Sequence, residues 1–353
     1  MNHQNTFDLS IGQGKPPLII IAGPTAVGKS AAAISLAKRI GGEIVSADSM
    51  QVYRGMDIGT AKVTRKEMEG VPHHLIDVME PEEDYNVVRF QAMAKEAVQG
   101  ILRRGHIPIL CGGTGFYIQA LLYDIDFTEE TKEEAEAARR TILKACYDAC
   151  GRDAEQEAVA DWLYQRLLLL DPEGAKAIPK ENTKRVLRAL SFFELHQEPI
   201  SAHNKKQQKK RENSPYAYRF FVLTDDRTRL YERIDRRVDR MMADGLFEEV
   251  QKLKKRGVKK SATSMQGIGY RELYEALLQS GEDPPEQLLA DAVSRIKQNS
   301  RHYAKRQLTW FKREGERVFW IDIGKTPDAA EEIFRRLLKA PGEEPPEPPI
   351  GRG

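Results

Sequence analysis

The chain has 353 residues, 41% hydrophobic and 31% charged, which suffices for one large or two modest globular domains and excludes a chain disordered throughout. No run of about 18 apolar residues occurs, and the start, MNHQNTFDLSIGQGK, lacks the apolar stretch of a secretory signal, so a cytoplasmic protein without membrane contact is expected. The net charge of +2 averages over segments of opposite sign: residues 205–211 hold five basic side chains, 252–260 six, and 295–313 seven with no acidic one. Any one of these reads as a solvated face; the three together point to a polyanionic partner.

LIIIA at 18–22 is a short apolar run bounded by turn residues, as in a strand buried on both faces of a parallel sheet. A helix over roughly 30–40 follows, with Ile34, Ala37 and Ile40 at helical spacing, and EIVSA at 43–47 is a second buried strand. A helix near 87–104 aligns Phe90, Ala94, Ala97 and Ile101, and IPIL at 107–110 gives the next strand. This alternation predicts an α/β core. Between about 124 and 215 the pattern becomes helical, with segments at 129–146 and 161–170 and no strand signal. Strand signals resume with YRFFVLT at 218–224 and VFWID at 318–322; a long helix from Thr228 carries Leu230, Ile234, Val238 and Met241 on one side. The expected division is therefore 16–123 for the first part of the core, 124–215 for a helical insertion and 216–325 for the rest of the core. Residues 326–353 form a tail whose Pro- and Glu-rich end is disordered. Cys111, Cys146 and Cys150 make no CxxC pair; Cys146 and Cys150 fit one helix face, and neither a structural metal nor a disulfide is expected.

GPTAVGKS at 23–30 satisfies the phosphate-loop pattern in the required place, after a strand and before a helix. It predicts a P-loop NTPase-like parallel sheet flanked by helices. Gly23 and Gly28 let backbone N–H groups turn inward, Lys29 adds a point charge and Ser30 can ligate Mg²⁺. The pattern specifies a diphosphate and leaves open what is attached to it. DSMQVYRGMDIGTAK at 48–62 follows the second strand, which puts Asp48 at the carboxyl edge of the sheet where ligands bind. From position alone Asp48 is a Mg²⁺ ligand, a general base or the cap of a turn. Gln51 offers an amide for reading a base edge. The glycines of GGTGFYIQALL at 112–122 permit close approach of backbone to a ligand, and Thr114 enters the same crevice as Asp48 and Lys29. That strand ends in Cys111 and Gly112, without the Asp common in P-loop ATPases, which disfavours plain ATP hydrolysis. His73, His74 and Trp310 fit packing or capping better than chemistry.

GPTAVGKS, DSMQVYRGMDIGTAK, PHHLID at 72–77, GGTGFYI, NTKRVLRAL at 182–190, QGIGYREL at 266–273 and AKRQLTWF at 304–311, taken in this order, resemble the tRNA dimethylallyltransferases, also called tRNA isopentenyltransferases. The resemblance runs from about residue 17 to 322, and the zinc-finger extension of eukaryotic relatives has no counterpart, as in the shorter bacterial form. It implies transfer of a dimethylallyl group from dimethylallyl diphosphate to the N6 amine of the adenine 3′ of the anticodon. The tRNAs concerned read codons beginning with U, and the product is N6-isopentenyladenosine.

By the same resemblance Gly23, Pro24, Thr25, Ala26, Val27, Gly28, Lys29 and Ser30 cradle the donor's diphosphate with Mg²⁺. Asp48 accepts the proton, Ser49, Met50 and Gln51 neighbour the base, and Thr114 lies near the substrate. Lys184 through Arg188, with Lys184 where relatives carry Gln, contact tRNA phosphates, Lys184, Arg185 and Arg188 foremost; Lys305 and Arg306 grip the anticodon stem-loop. A family arginine that supports the diphosphate falls near both Arg233 and Arg237, and the sequence does not choose between them. The expected partners are thus tRNA and dimethylallyl diphosphate, bound by a monomer. The readings that compete are a P-loop kinase of a small molecule or nucleoside, which leaves the basic segments unexplained, and an RNA-binding protein, which leaves DSMQ and GGTG unexplained.

Overall fold

β1 (Pro17–Ala22) is apolar on both sides because both are covered: Leu18 and Ile20 are as deeply buried as Ile19 and Ile21. The computed structural model describes residues 14–127, 132–210, 213–281 and 283–338. After β1 the chain takes left-handed dihedrals at Gly23, Ala26 and Gly28, with φ of 147°, 64° and 95°. No side chain fits at Gly23, where a Cβ would stand 2.5 Å from the Leu223 carbonyl oxygen. α1 (Lys29–Ile40) then runs until Gly41, another left-handed residue, whose amide closes on the Ala37 carbonyl. β2 (Gly42–Ser46) and the two-residue β3 (His73–His74) follow. α2 (Val87–Arg103) starts at Asn86, whose side chain accepts from the Arg89 amide at 2.9 Å. β4 (Ile107–Gly112) leads through the GGTG turn into α3 (Gly115–Leu122).

The chain divides into two compact units, Tyr123–Ser214 and the remainder on either side of it. The smaller unit holds α4 (Lys132–Cys150), α5 (Gln156–Leu170), α6 (Pro172–Ala177), α7 (Thr183–His196) and α8 (Ile200–Lys210), with no strand among its described residues. Ile142, Leu163, Leu167, Val186 and Leu190 form its core. Asp171, 2% exposed, fastens two of its helices: it accepts from the Gly174 amide at 2.8 Å, capping α6, and from the Ser201 amide at 2.9 Å.

The larger unit resumes with β5 (Ala217–Thr224), α9 (Arg227–Ala243), α10 (Leu246–Lys255), α11 (Tyr270–Ser280), the 27-residue α12 (Glu286–Lys312), β6 (Phe319–Asp322) and α13 (Ala329–Leu337). The six strands among its described residues lie in the order β3-β2-β4-β1-β5-β6, and every pairing is parallel. Ile19, Ile21, Ile109 and Phe221 meet Ala33 and Leu36 of α1, Leu230 and Ile234 of α9 and Ile333 of α13 in one core. The expected parallel sheet flanked by helices is the fold found. Strand β3 was not foreseen; two residues are too few to show a period, and they pair because Ile44 and Val45 leave an edge for His73 and His74. β1, β2 and β4 all end at one edge of the sheet, and the phosphate loop, the Asp48 segment and GGTG follow them directly.

At Glu43 on β2 a buried carboxylate is held by Arg104, through Nη2 at 2.7 Å and Nε at 3.1 Å, and by His74 Nε2 at 2.7 Å. The Arg104 hydrogen bonds, aided by His74 and opposed by burial, hold its pKa below the usual carboxylate value. A depressed carboxylate stabilises the fold above its unfolded pKa, about 4.5, and this is lost as pH falls through the folded value. Glu43→Gln should cost about 1–3 kcal/mol near neutral pH, as for a charged hydrogen-bond partner lost, and progressively less in acid. Urea unfolding of both proteins between about pH 3 and 7 checks this; a pH-independent difference would contradict it.

Candidate active site

Gly23, Ala26 and Gly28 all take left-handed dihedrals just before α1, the backbone pattern of an anion nest. Two cavities open there. The first, about 1040 Å³, is lined by Gly28, Lys29, Ser30, Arg233 and Arg237, with Asp57, Ile58, Ala61 and Lys62 opposite. The second, about 510 Å³, is lined by Met50 and by the polar Thr25, Asp48, Ser49, Arg237, Tyr303 and Arg306. Ile234, Val238, Leu246, Ile268 and Ile296 supply its apolar side. Arg237 borders both cavities, whereas Arg233 borders only the first of these two.

The electrostatics follow from burial. Lys29 donates to the Pro24 carbonyl at 2.7 Å, and burial lowers its pKa to about 8. Cys111 and Asp48 oppose that shift, and Arg237 reinforces it. Burial likewise lowers the Arg237 pKa, with Asp48 opposing. Lys29, Arg237 and Asp48 therefore sense one another, and two cations held this close in a buried site leave a place for a polyanion. Arg233 sits 3.6 Å from Asp225, which partly neutralises it.

Asp48 proves to be the anchor of a turn as well as a cavity wall: its Oδ1 accepts from the amides of Met50 at 2.8 Å and Gln51 at 3.3 Å. Gln51 borders neither of the two cavities, and its amide nitrogen donates to the carbonyls of Thr60 at 3.3 Å and Ala61 at 3.4 Å. Thr114 is tied to the same segment by its amide, 3.3 Å from the Ala47 carbonyl, and its buried hydroxyl makes no hydrogen bond of good geometry. Thr114 borders neither of the two cavities, contrary to the expectation that it enters the crevice of Asp48 and Lys29. Tyr303 lies next to Thr114 and Gln307; burial, with Asp48 adding to it, pushes its phenol up to about 12, so it stays a neutral donor.

Gln307 was not singled out by the sequence, yet it joins the two glycine loops: its Oε1 accepts from the Thr25 amide and its Nε2 donates to the Gly113 carbonyl, each at 2.9 Å. The signal was present as a polar residue on the buried face of α12, between Ala304 and Phe311. Trp310 packs against Gly115, where a Cβ would stand 2.1 Å from its ring, as expected of a packing residue. Lys305 and Arg306 are exposed on α12, with the Arg306 guanidinium 5.8 Å from the Tyr303 ring centroid. Lys184, Arg185 and Arg188 are exposed on α7 of the smaller unit.

The described residues contain no helix long and apolar enough to cross a membrane. The sequence pattern of the family described as IPP transferase matches residues 51–314, and that described as isopentenyl transferase matches 16–81. A tRNA dimethylallyltransferase of Lachnoclostridium phytofermentans is 50% identical over 305 residues, 86% of this chain and 91% of that protein. One from Bacillus subtilis is 45% identical, covering 92% of this chain and 96% of that protein. Among solved structures, the tRNA isopentenylpyrophosphate transferase of Bacillus halodurans aligns with a TM-score of 0.63 at 40% identity, over 92% of this chain and 97% of that one. A eukaryotic dimethylallyltransferase acting on tRNA aligns with a TM-score of 0.68 at 26% identity, over 93% of this chain and 82% of that one. A phosphate loop opening into a cationic cavity, a carboxylate in the next, and relatives matched over nearly their full length agree: the chain belongs to the IPP transferase family.

Proposed function

We propose that the protein transfers a dimethylallyl group from dimethylallyl diphosphate to the N6 amine of the adenine 3′ of the anticodon, in tRNAs reading codons that begin with U. The observation that carries the reading is the pairing of cavities across Arg237, one cationic and fed by the phosphate loop, the other half apolar and bordered by Asp48. The diphosphate occupies the first, against Lys29, Arg233, Arg237 and the backbone amides from Ala26 to Ser30. The second takes the five-carbon chain on its apolar side and the adenine beside Asp48.

An adenine amine is a weak nucleophile because its lone pair is delocalised into the ring. Departure of the leaving group and removal of the proton must therefore both be assisted. The bond from the prenyl carbon to diphosphate oxygen breaks as the N6–carbon bond forms; the electron pair leaves with diphosphate, whose charge meets Lys29 and Arg237. The N6 proton passes to Asp48, the usual device of general-base catalysis. Tyr303, which borders the second cavity, supplies a hydroxyl that holds the amine in line, with Thr114 behind it.

Mg²⁺ fits this arrangement through Ser30, whose hydroxyl borders the first cavity beside Lys29. Among the described residues no group of three or more His, Cys, Asp or Glu could hold a metal alone, so a bound ion would take its other ligands from phosphate oxygens and water. When bound, the ion neutralises charge growing on the diphosphate. Lys305 and Arg306 of the larger unit grip the anticodon stem-loop by its phosphates; Lys184, Arg185 and Arg188 of the smaller unit, taken by itself, contact tRNA phosphates. Gln51 supports the base-facing turn and reads a base edge only by giving up its bonds to the 60–61 carbonyls. The enzyme works in the cytoplasm as a monomer, with its smaller unit serving as a tRNA-binding domain.

Calorimetry with Mg²⁺ present tests the donor. Dimethylallyl diphosphate should bind more tightly than ATP, since the second cavity accommodates an apolar chain. Tight ATP binding with none for the prenyl diphosphate would replace this reading with a kinase.

A further inference from the structure

The segment DIGTAK, 57–62, crosses the front of both cavities: Asp57, Ile58, Ala61 and Lys62 border the first, Gly59 and Thr60 the second. It has no regular structure of its own, and its shape is set from behind. Glu249, in the first turn of α10 and 8% exposed, accepts from the amides of Asp57 at 2.8 Å and Ile58 at 2.9 Å through one oxygen. Its other oxygen accepts from the Gly59 amide at 3.1 Å and from the Tyr270 hydroxyl at 2.5 Å. Three consecutive amides converging on one carboxylate form an anion nest occupied by the protein itself. Gly59 is needed for this, because a Cβ there would lie 2.6 Å from the Tyr270 ring.

The far end of the segment is equally fixed. The Lys62 ammonium, with its side chain 5% exposed, reaches the Tyr53 carbonyl at 2.6 Å, Asp57 at 2.7 Å and Asp77 at 2.5 Å. Between the two clasps stands the Thr60 carbonyl, which faces Arg237 Nη2 at 3.5 Å and Gln51 Nε2 at 3.3 Å. A buried guanidinium has few partners with which to fix its plane, and this carbonyl is one that the segment delivers.

We infer that Glu249 and Tyr270 are positioning residues: through the 57–60 turn they orient Arg237 toward the diphosphate. The inference rests on the reading that the first cavity takes a diphosphate. Loss of the Tyr270 hydroxyl leaves Glu249 with three amides and one under-satisfied oxygen, the turn relaxes, and Thr60 no longer presents its carbonyl to Arg237. Energetic coupling between Tyr270 and Arg237 separates this role from a purely structural one, in which the two losses would add.

The test is calorimetric titration of inorganic diphosphate into the full chain as wild type, Tyr270→Phe, Arg237→Ala and the double variant. Tyr270→Phe should weaken diphosphate binding about tenfold in the wild-type background and less than about twofold when Arg237 is already alanine. Glu249→Gln, which disturbs the turn from the other side of the same hydrogen bond, should show the same dependence on Arg237. Equal losses in both backgrounds, or no loss in the first, would overturn the inference while leaving the diphosphate site intact. A wild-type protein that binds no diphosphate would overturn both.

Discussion

Asp48→Asn should slow prenyl transfer by about 10²-fold or more while leaving tRNA and dimethylallyl diphosphate binding within a few fold. The asymmetry follows from the two jobs of the carboxylate. One oxygen accepts from the Met50 and Gln51 amides. Asparagine keeps an oxygen for that purpose, so the turn survives. What it lacks is the second, basic oxygen. Single-turnover rates with saturating tRNA isolate the transfer step. A variant that transfers at nearly the wild-type rate would reduce Asp48 to a turn cap and require water or the departing diphosphate as proton acceptor.

Replacing Lys29 with alanine should lower kcat/KM for the donor by about 10²–10³, the scale for removing one preorganised contact to developing charge. tRNA affinity should change little. The pH dependence gives a sharper signature. Burial brings the Lys29 pKa down to about 8 in the ligand-free site. Below that value the ammonium is charged and ready for the diphosphate; above it, binding must first recover a proton. Donor affinity of the wild type should therefore fall as pH rises through about 8, by up to about tenfold per pH unit. The alanine variant should bind weakly with no such decline. An affinity that stays level through this range in the wild type would show that Lys29 does not carry the charge that meets the ligand.

Those features that depend on local backbone were legible in the sequence. Gly23 and Gly28 encode left-handed dihedrals that few other residues tolerate, so the phosphate loop is visible without a fold. Buried parallel strands announce themselves as unbroken apolar runs, which is why β1, β2, β4 and β5 were all expected. Contacts between distant segments were not legible. Gln307 and Thr25 are 282 residues apart, and Glu249 lies 192 from Asp57; nothing in either neighbourhood names the other. Arg233 and Arg237 stand on adjacent turns of α9 with the same chemistry, so spacing could not separate them. The fold does: both border the first cavity, and Arg237 alone of the two reaches the second. Gln51 shows the opposite limit, since its position beside Asp48 suggested a base reader and its amide nitrogen is bonded to the 60–61 turn.

Which group moves decides between prenyl transfer and phosphorylation. The purified protein is incubated with unmodified tRNA, Mg²⁺, prenyl-labelled dimethylallyl diphosphate and γ-labelled ATP, and the tRNA is then digested to nucleosides. The prenyl label should appear in one modified adenosine, with release of diphosphate in equal amount, and the ATP label should stay on ATP. Transfer of phosphate from ATP with no prenyl label in tRNA would contradict the account.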